Sequence, residues 1–81
     1  MENSQLYTEL KILIENKKGF TLESKEILVR FKNQGGSQEE AIEACEKLRN
    51  FYSENEILED NVLDMLDIIT GWCSPDMKVW S

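Results

Sequence analysis

The 81-residue sequence predicts an all-α protein: a small bundle of four helices with a C-terminal turn or short helix. Three observations carry that prediction. Apolar residues recur at spacings of three and four in four successive stretches, the period of an amphipathic helix. One proline and four glycines are the only breakers, and the glycines fall between those stretches. Alternating β-branched runs are absent, so no strand signal competes. The chain reads as a single helical domain, 1–81, with helices at about residues 4–18, 22–34, 38–53 and 56–70 and a tail at 71–81.

In the first stretch Leu6, Tyr7, Leu10, Leu13 and Ile14 form a stripe, with Ile12 off it. Lys17 and Lys18 suit the negative end of the helix dipole, and Gly19 is expected to stop the helix. The second stretch has Thr21 or Ser24 as its cap and Phe20 as a staple from outside. Ile27, Leu28 and Phe31 face inward, Val29 does not fit, and Asn33-Gln34-Gly35-Gly36 is a stop. The third stretch opens with a capping box, Ser37 at N-cap and Glu40 at N3. Its stripe is Ala41, Cys45, Leu48 and Tyr52, with Glu43 and Lys47 paired on the outside. After the polar connection Ser53–Glu56, the fourth stripe runs through Leu58, Val62, Met65, Leu66 and Ile69, and Gly71 suits a left-handed stop. Adjacent helices are expected to run roughly antiparallel.

The tail, GWCSPDMKVWS, holds both tryptophans. Ser74-Pro75-Asp76 reads as a helix restart. Trp72, Met77 and Trp80 are large enough to cover the open end of a small bundle, and a small core needs that apolar area. Trp72 is therefore expected to lid the core with Cys73 as its small neighbour. Trp80 is left between packing and projecting.

Charge separates the two halves of the chain. The net charge is −7. Residues 1–36 carry six bases against five acids, whereas residues 37–81 carry three bases against eleven acids. Nucleic acid is a poor partner for such a surface, and a basic protein a sensible one. No apolar run is long enough to span a membrane. The N-terminus lacks a basic region followed by an apolar one, and two separate cysteines do not make a disulfide framework. A cytoplasmic protein is the expectation.

Catalytic chemistry is thinly supplied. There is no histidine, which removes the commonest general base and metal ligand. Two separated cysteines with carboxylates are a poor zinc set, and no glycine-rich phosphate loop follows a strand. The expectation is a protein with no catalytic residues, no metal and no cofactor. The distinctive cluster is acidic instead. Asp60, Asp64 and Asp67 fall at i, i+4 and i+7 on the face opposite the fourth stripe, with Glu56 and Glu59 close by. Early acids suit a helix N-terminus, which accounts for Glu56, Glu59 and Asp60 but not for Asp64 and Asp67. No lysine is interleaved to relieve their repulsion. A solvated face and a patch for a basic partner are both open readings of this cluster.

The segment Gly36-Ser37-Gln38-Glu39-Glu40-Ala41-Ile42-Glu43-Ala44 resembles the loop and second helix of ubiquitin-associated domains. The resemblance covers about ten residues of a helix start. The loop aromatic of those domains is absent, so no binding residues carry over. In size, acidity and lack of catalytic groups the chain is similar to bacterial immunity proteins and antitoxins, a likeness of type.

That likeness implies a small binding protein that neutralises a basic protein partner such as a toxin domain. Glu56, Glu59, Asp60, Asp64 and Asp67 would steer the encounter, and Tyr52, Trp72 or Trp80 would anchor it. The alternative is an interaction or assembly module, monomeric or weakly dimeric, that associates through an apolar patch of the off-stripe residues Ile12, Val29 and Trp80.

Overall fold

The computed structural model describes residues 1–80. Its helices are α1 (Asn3–Glu15), α2 (Leu22–Asn33), α3 (Gln38–Phe51) and α4 (Glu56–Thr70), followed by a short 3₁₀ turn, Pro75–Met77. The described residues contain no strand, and the architecture is a small all-α bundle. No helix among them is long and apolar enough to cross a membrane.

The helix ends follow local chemistry. α1 stops at Glu15, three residues before the expected end, because its last carbonyls are already satisfied there. Lys17 N–H donates to the Ile14 carbonyl and Lys18 N–H to the Leu13 carbonyl, both at 2.9 Å, which closes a Schellman turn. The left-handed position of that turn is taken by Lys17 (φ 58°), not by Gly19. Gly19 serves another purpose. Its N–H donates to Asn61 Oδ1 at 3.1 Å, and a Cβ there would stand 2.2 Å from the Asn61 carbonyl oxygen. It lets the α1–α2 connection press flat against α4.

Thr21 caps α2, accepting the Ser24 N–H at 3.3 Å. The other cap candidate, Ser24, is fully buried and spends its hydroxyl on the Lys18 carbonyl at 2.5 Å. Phe20, expected as a staple, stays exposed. The α3 capping box is complete: Ser37 Oγ accepts the Glu40 N–H at 3.1 Å, and Glu40 Oε1 accepts the Ser37 N–H at 3.0 Å. Asn55 caps α4 through a 3.1 Å bond from the Leu58 N–H, and Gly71 ends it at φ 87°.

The packing order differs from the chain order. α1 and α3 lie side by side and run in the same direction. Asn3 and Glu40 line the same groove near one end, and the Tyr52 hydroxyl donates to Glu15 Oε2 at 2.6 Å near the other. α4 runs antiparallel to α3: Gln38 Nε2 reaches the Ile69 carbonyl at 2.8 Å, and Arg49 Nε lies 3.8 Å from Glu59 Oε2. α2 packs on α1 and touches α3 little, although the two are consecutive.

The core draws on all four helices: Leu6, Leu10 and Ile14; Leu28 and Phe31; Ala41, Cys45 and Leu48; Val62, Met65 and Ile69. Ile68, off the expected stripe, is also buried, while Leu58 and Leu66 are only half-buried. Ile68 lies two turns beyond Asn61, on the side of α4 where the Gly19 connection presses in.

The tail corrects one expectation. Trp72 does not lid the core; it is 82% exposed. Met77 and Val79 are buried instead, and Cys73 and Trp80 pack half-buried against the core. Lysines of α2 hold the returning chain. Lys25 Nζ donates to the Asp76 carbonyl, and Lys32 Nζ to the Val79 carbonyl at 2.8 Å. The two lysines lie about 10 Å apart along α2, so the tail runs alongside that helix.

Candidate protein-binding surface

α4 presents its inner stripe to the core and leaves the opposite face to water. Glu56, Asp60, Asp64 and Asp67 are all exposed. Glu59 is half-buried and faces Arg49 across the α3–α4 seam. The structure therefore separates Glu59, which has a basic neighbour, from Asp60, Asp64 and Asp67, which have no basic group in ion-pair reach among the described residues.

The aspartates feel one another. Asp64 is pushed above the usual aspartate range, first by loss of water around its carboxyl and then by the charges of Asp67 and Asp60. Asp64 remains exposed as a residue, so the raised value describes a crowded anionic ridge rather than a buried acid.

Ile57 completes the ridge and was not legible as part of it. It lies three residues before Asp60 on the same face and is 58% exposed. The available signal was its place outside the inner stripe, an apolar residue among acids. At the other end the helix stops at Gly71, and Trp72 follows directly. The surface is an acidic ridge about 21 Å long with an exposed apolar residue at each end.

The three candidate anchors separate. Trp72 stands in solvent at the end of the ridge. Trp80 is half-buried against the core. Tyr52 lies in the core with its hydroxyl committed to Glu15, and burial together with that bond pushes its pKa up. Tyr52 therefore joins α1 to α3 and presents no anchor; the ring that does emerge at this end is Phe51, under the Lys11 ammonium at 4.6 Å. Cys45 is buried, and burial followed by the Glu46 charge raises its thiol to about 12, which leaves it protonated and unreactive.

Other features show no comparable arrangement. A groove of about 440 Å³ lies between the first halves of α1 and α3, floored by Tyr7 and Ala44. Its charged groups are occupied: Glu40 in the α3 cap, Glu43 with Lys47 at 3.6 Å. No three His, Cys, Asp or Glu side chains among the described residues converge as a metal site. Of the off-stripe residues Ile12, Val29 and Trp80, Ile12 is exposed, and Val29 and Trp80 are half-buried against the core.

Fold and surface together define a small acidic all-α protein whose α4, among the described residues, carries acids without basic partners on its exposed face. Compared with family models, curated proteins and solved structures, the chain matches none.

Proposed function

We propose that this chain is a small protein-binding protein that takes a basic protein surface onto the α4 ridge, in the manner of an inhibitor or neutralising partner. The observation that supports the reading most is that Asp60, Asp64 and Asp67 share one exposed face and have no basic neighbour among the described residues. Self-repulsion along a helix costs about 0.2–0.5 kcal/mol per neighbouring pair. A cationic surface laid across the ridge would turn that cost into attraction and speed encounter by steering. Trp72 adds the kind of rigid aromatic that anchors interfaces once desolvated. Glu56 extends the field, while Glu59 contributes less because Arg49 already faces it.

The test is capture from the native host with the wild-type chain and with the triple variant Asp60→Lys/Asp64→Lys/Asp67→Lys. The reading expects basic proteins that are retained by the wild type at low salt, released as salt rises, and missed by the variant. Equal capture by both chains would end it.

A further inference from the structure

The outer face of α2 is built in the opposite sense to the α4 ridge. Leu22 and Val29 lie seven residues apart on one side of the helix and border a shallow groove of about 420 Å³ that also includes Lys25, Glu26, Arg30 and Asn33. Leu22 is 66% exposed, more than any other aliphatic residue described. Lys25 and Lys32 donate only to neutral tail carbonyls, and Arg30 is exposed. None of these three cations is in ion-pair reach of a carboxylate among the described residues. Among the described residues, one molecule thus carries a cationic face without ion pairs beside an apolar notch, and an acidic face without ion pairs beside an apolar knob.

We infer that these two faces fit each other between copies of this chain: the α4 ridge of one molecule docks along the α2 groove of a second. The spacing sets the direction. Ile57 seats between Leu22 and Val29, opposite Glu26. Asp60 and Asp64 then lie about 4.5 and 10.5 Å further along the axis, and Arg30 lies about 6 Å beyond Glu26. A parallel alignment brings the aspartates to Arg30; the antiparallel one carries them past Leu22, away from it. Lys25, within the groove, and Lys32, beyond it on the tail side, add to the attraction. Glu26 is the one acid in the groove and opposes the fit. The contact is heterologous, since each copy offers a different face, so association continues beyond a dimer unless a ring closes. This goes beyond the proposed function, and it uses the same ridge, so a basic partner and a second copy compete for it.

Complementation tests the inference. Wild-type protein at low ionic strength, from about 10 μM to about 1 mM, should sediment with a mass that rises with concentration and falls back to monomer at high salt. Arg30→Glu reverses one of the groove's two cations, and Asp60→Lys/Asp64→Lys reverses the ridge. Each should weaken association by about tenfold or more. An equimolar mixture pairs the intact ridge of the first with the intact groove of the second, and the reversed ridge of the second with the reversed groove of the first, so it should restore the association that neither variant shows alone. Glu26→Gln should tighten wild-type association by a few-fold. All four substituted positions are on the surface, and unchanged helical circular dichroism would confirm that each variant is folded; Leu22→Ala provides an uncharged second route to the same loss. A monomeric wild type across this range, undiminished association of either variant, or a mixture that stays monomeric would each overturn the inference. Capture of a basic partner is read separately, so either result can fail while the other stands.

Discussion

α3 and α4 are neighbours of similar length, each capped by a side chain at its N-terminus and each burying one apolar face. Both are rich in acids, yet the acids do different work. On α3, Glu40 completes the cap and Glu43 pairs with Lys47. Arg49 of α3 even reaches across to Glu59 of α4. On α4, Asp60, Asp64 and Asp67 remain without basic neighbours among the described residues. Counting acids would rank the helices alike; asking what each acid faces separates them, because among the described residues only Glu39 and Glu46 on α3 are left without a partner, and on α4 the unpartnered acids Asp60, Asp64 and Asp67 share one face.

The largest effects should show where the two helices are alike. Leu48→Ala on α3 and Met65→Ala on α4 each remove a fully buried side chain and should cost about 2–5 kcal/mol in urea unfolding. Trp72→Ala, despite its size, should stay within about 0.5 kcal/mol. A Trp72 loss as large as that at Met65 would show that the ring is not facing solvent. The caps come next. Ser37→Ala and Asn55→Ala each remove one side-chain acceptor at a helix start and should each cost about 1 kcal/mol. Outer charges come third and differ in sign. Asp64→Asn should stabilise by a few tenths of a kcal/mol, relieving both Asp60 and Asp67, whereas Glu43→Gln should destabilise by a similar amount. Matching signs would erase the contrast between the helices.

The smallest effect is the pH response, where the helices again oppose each other. Glu40 is held below its ordinary 4.5 by Asn3 and by both groups of Ser37. Its folded value is below its unfolded one, so its contribution is present above the unfolded value and lost as pH falls through the lowered one. Asp64 is held above its ordinary 3.8. Its charge opposes folding at neutral pH, and that penalty disappears as pH falls through the raised value. Carboxyl carbon NMR titration should place Glu40 below and Asp64 above their usual ranges, and Asp67→Asn should move Asp64 back down while leaving Glu40 in place.

Much of the fold was legible because its signals are local. Ser37 and Glu40 mark the α3 start through bonds spanning three residues, and Gly71 marks the α4 end through its own backbone freedom. The acidic ridge was legible too, since i, i+4 and i+7 share a face whatever the helix packs against. Other features depend on distant partners. Gly19 looked like the residue that ends α1, yet Lys17 takes the left-handed turn, and Gly19 is small because Asn61, 42 residues away, lies against it. Tyr52 could be placed on an inner stripe, but nothing nearby shows that its hydroxyl meets Glu15.

Residue type and spacing by themselves determined the helical class, the helix starts and the one-sided charge of α4, because each rests on interactions within about one helical turn or one face. Only the tertiary structure decided that α1 and α3 run parallel, that α2 leaves α3 for α1 and the tail, and which tail residues are covered. Size favours burying Trp72, but burial depends on where the chain passes. The turn at Gly71 and the two lysines on α2 set that path, so Met77 and Val79 enter the core and Trp72 remains in water.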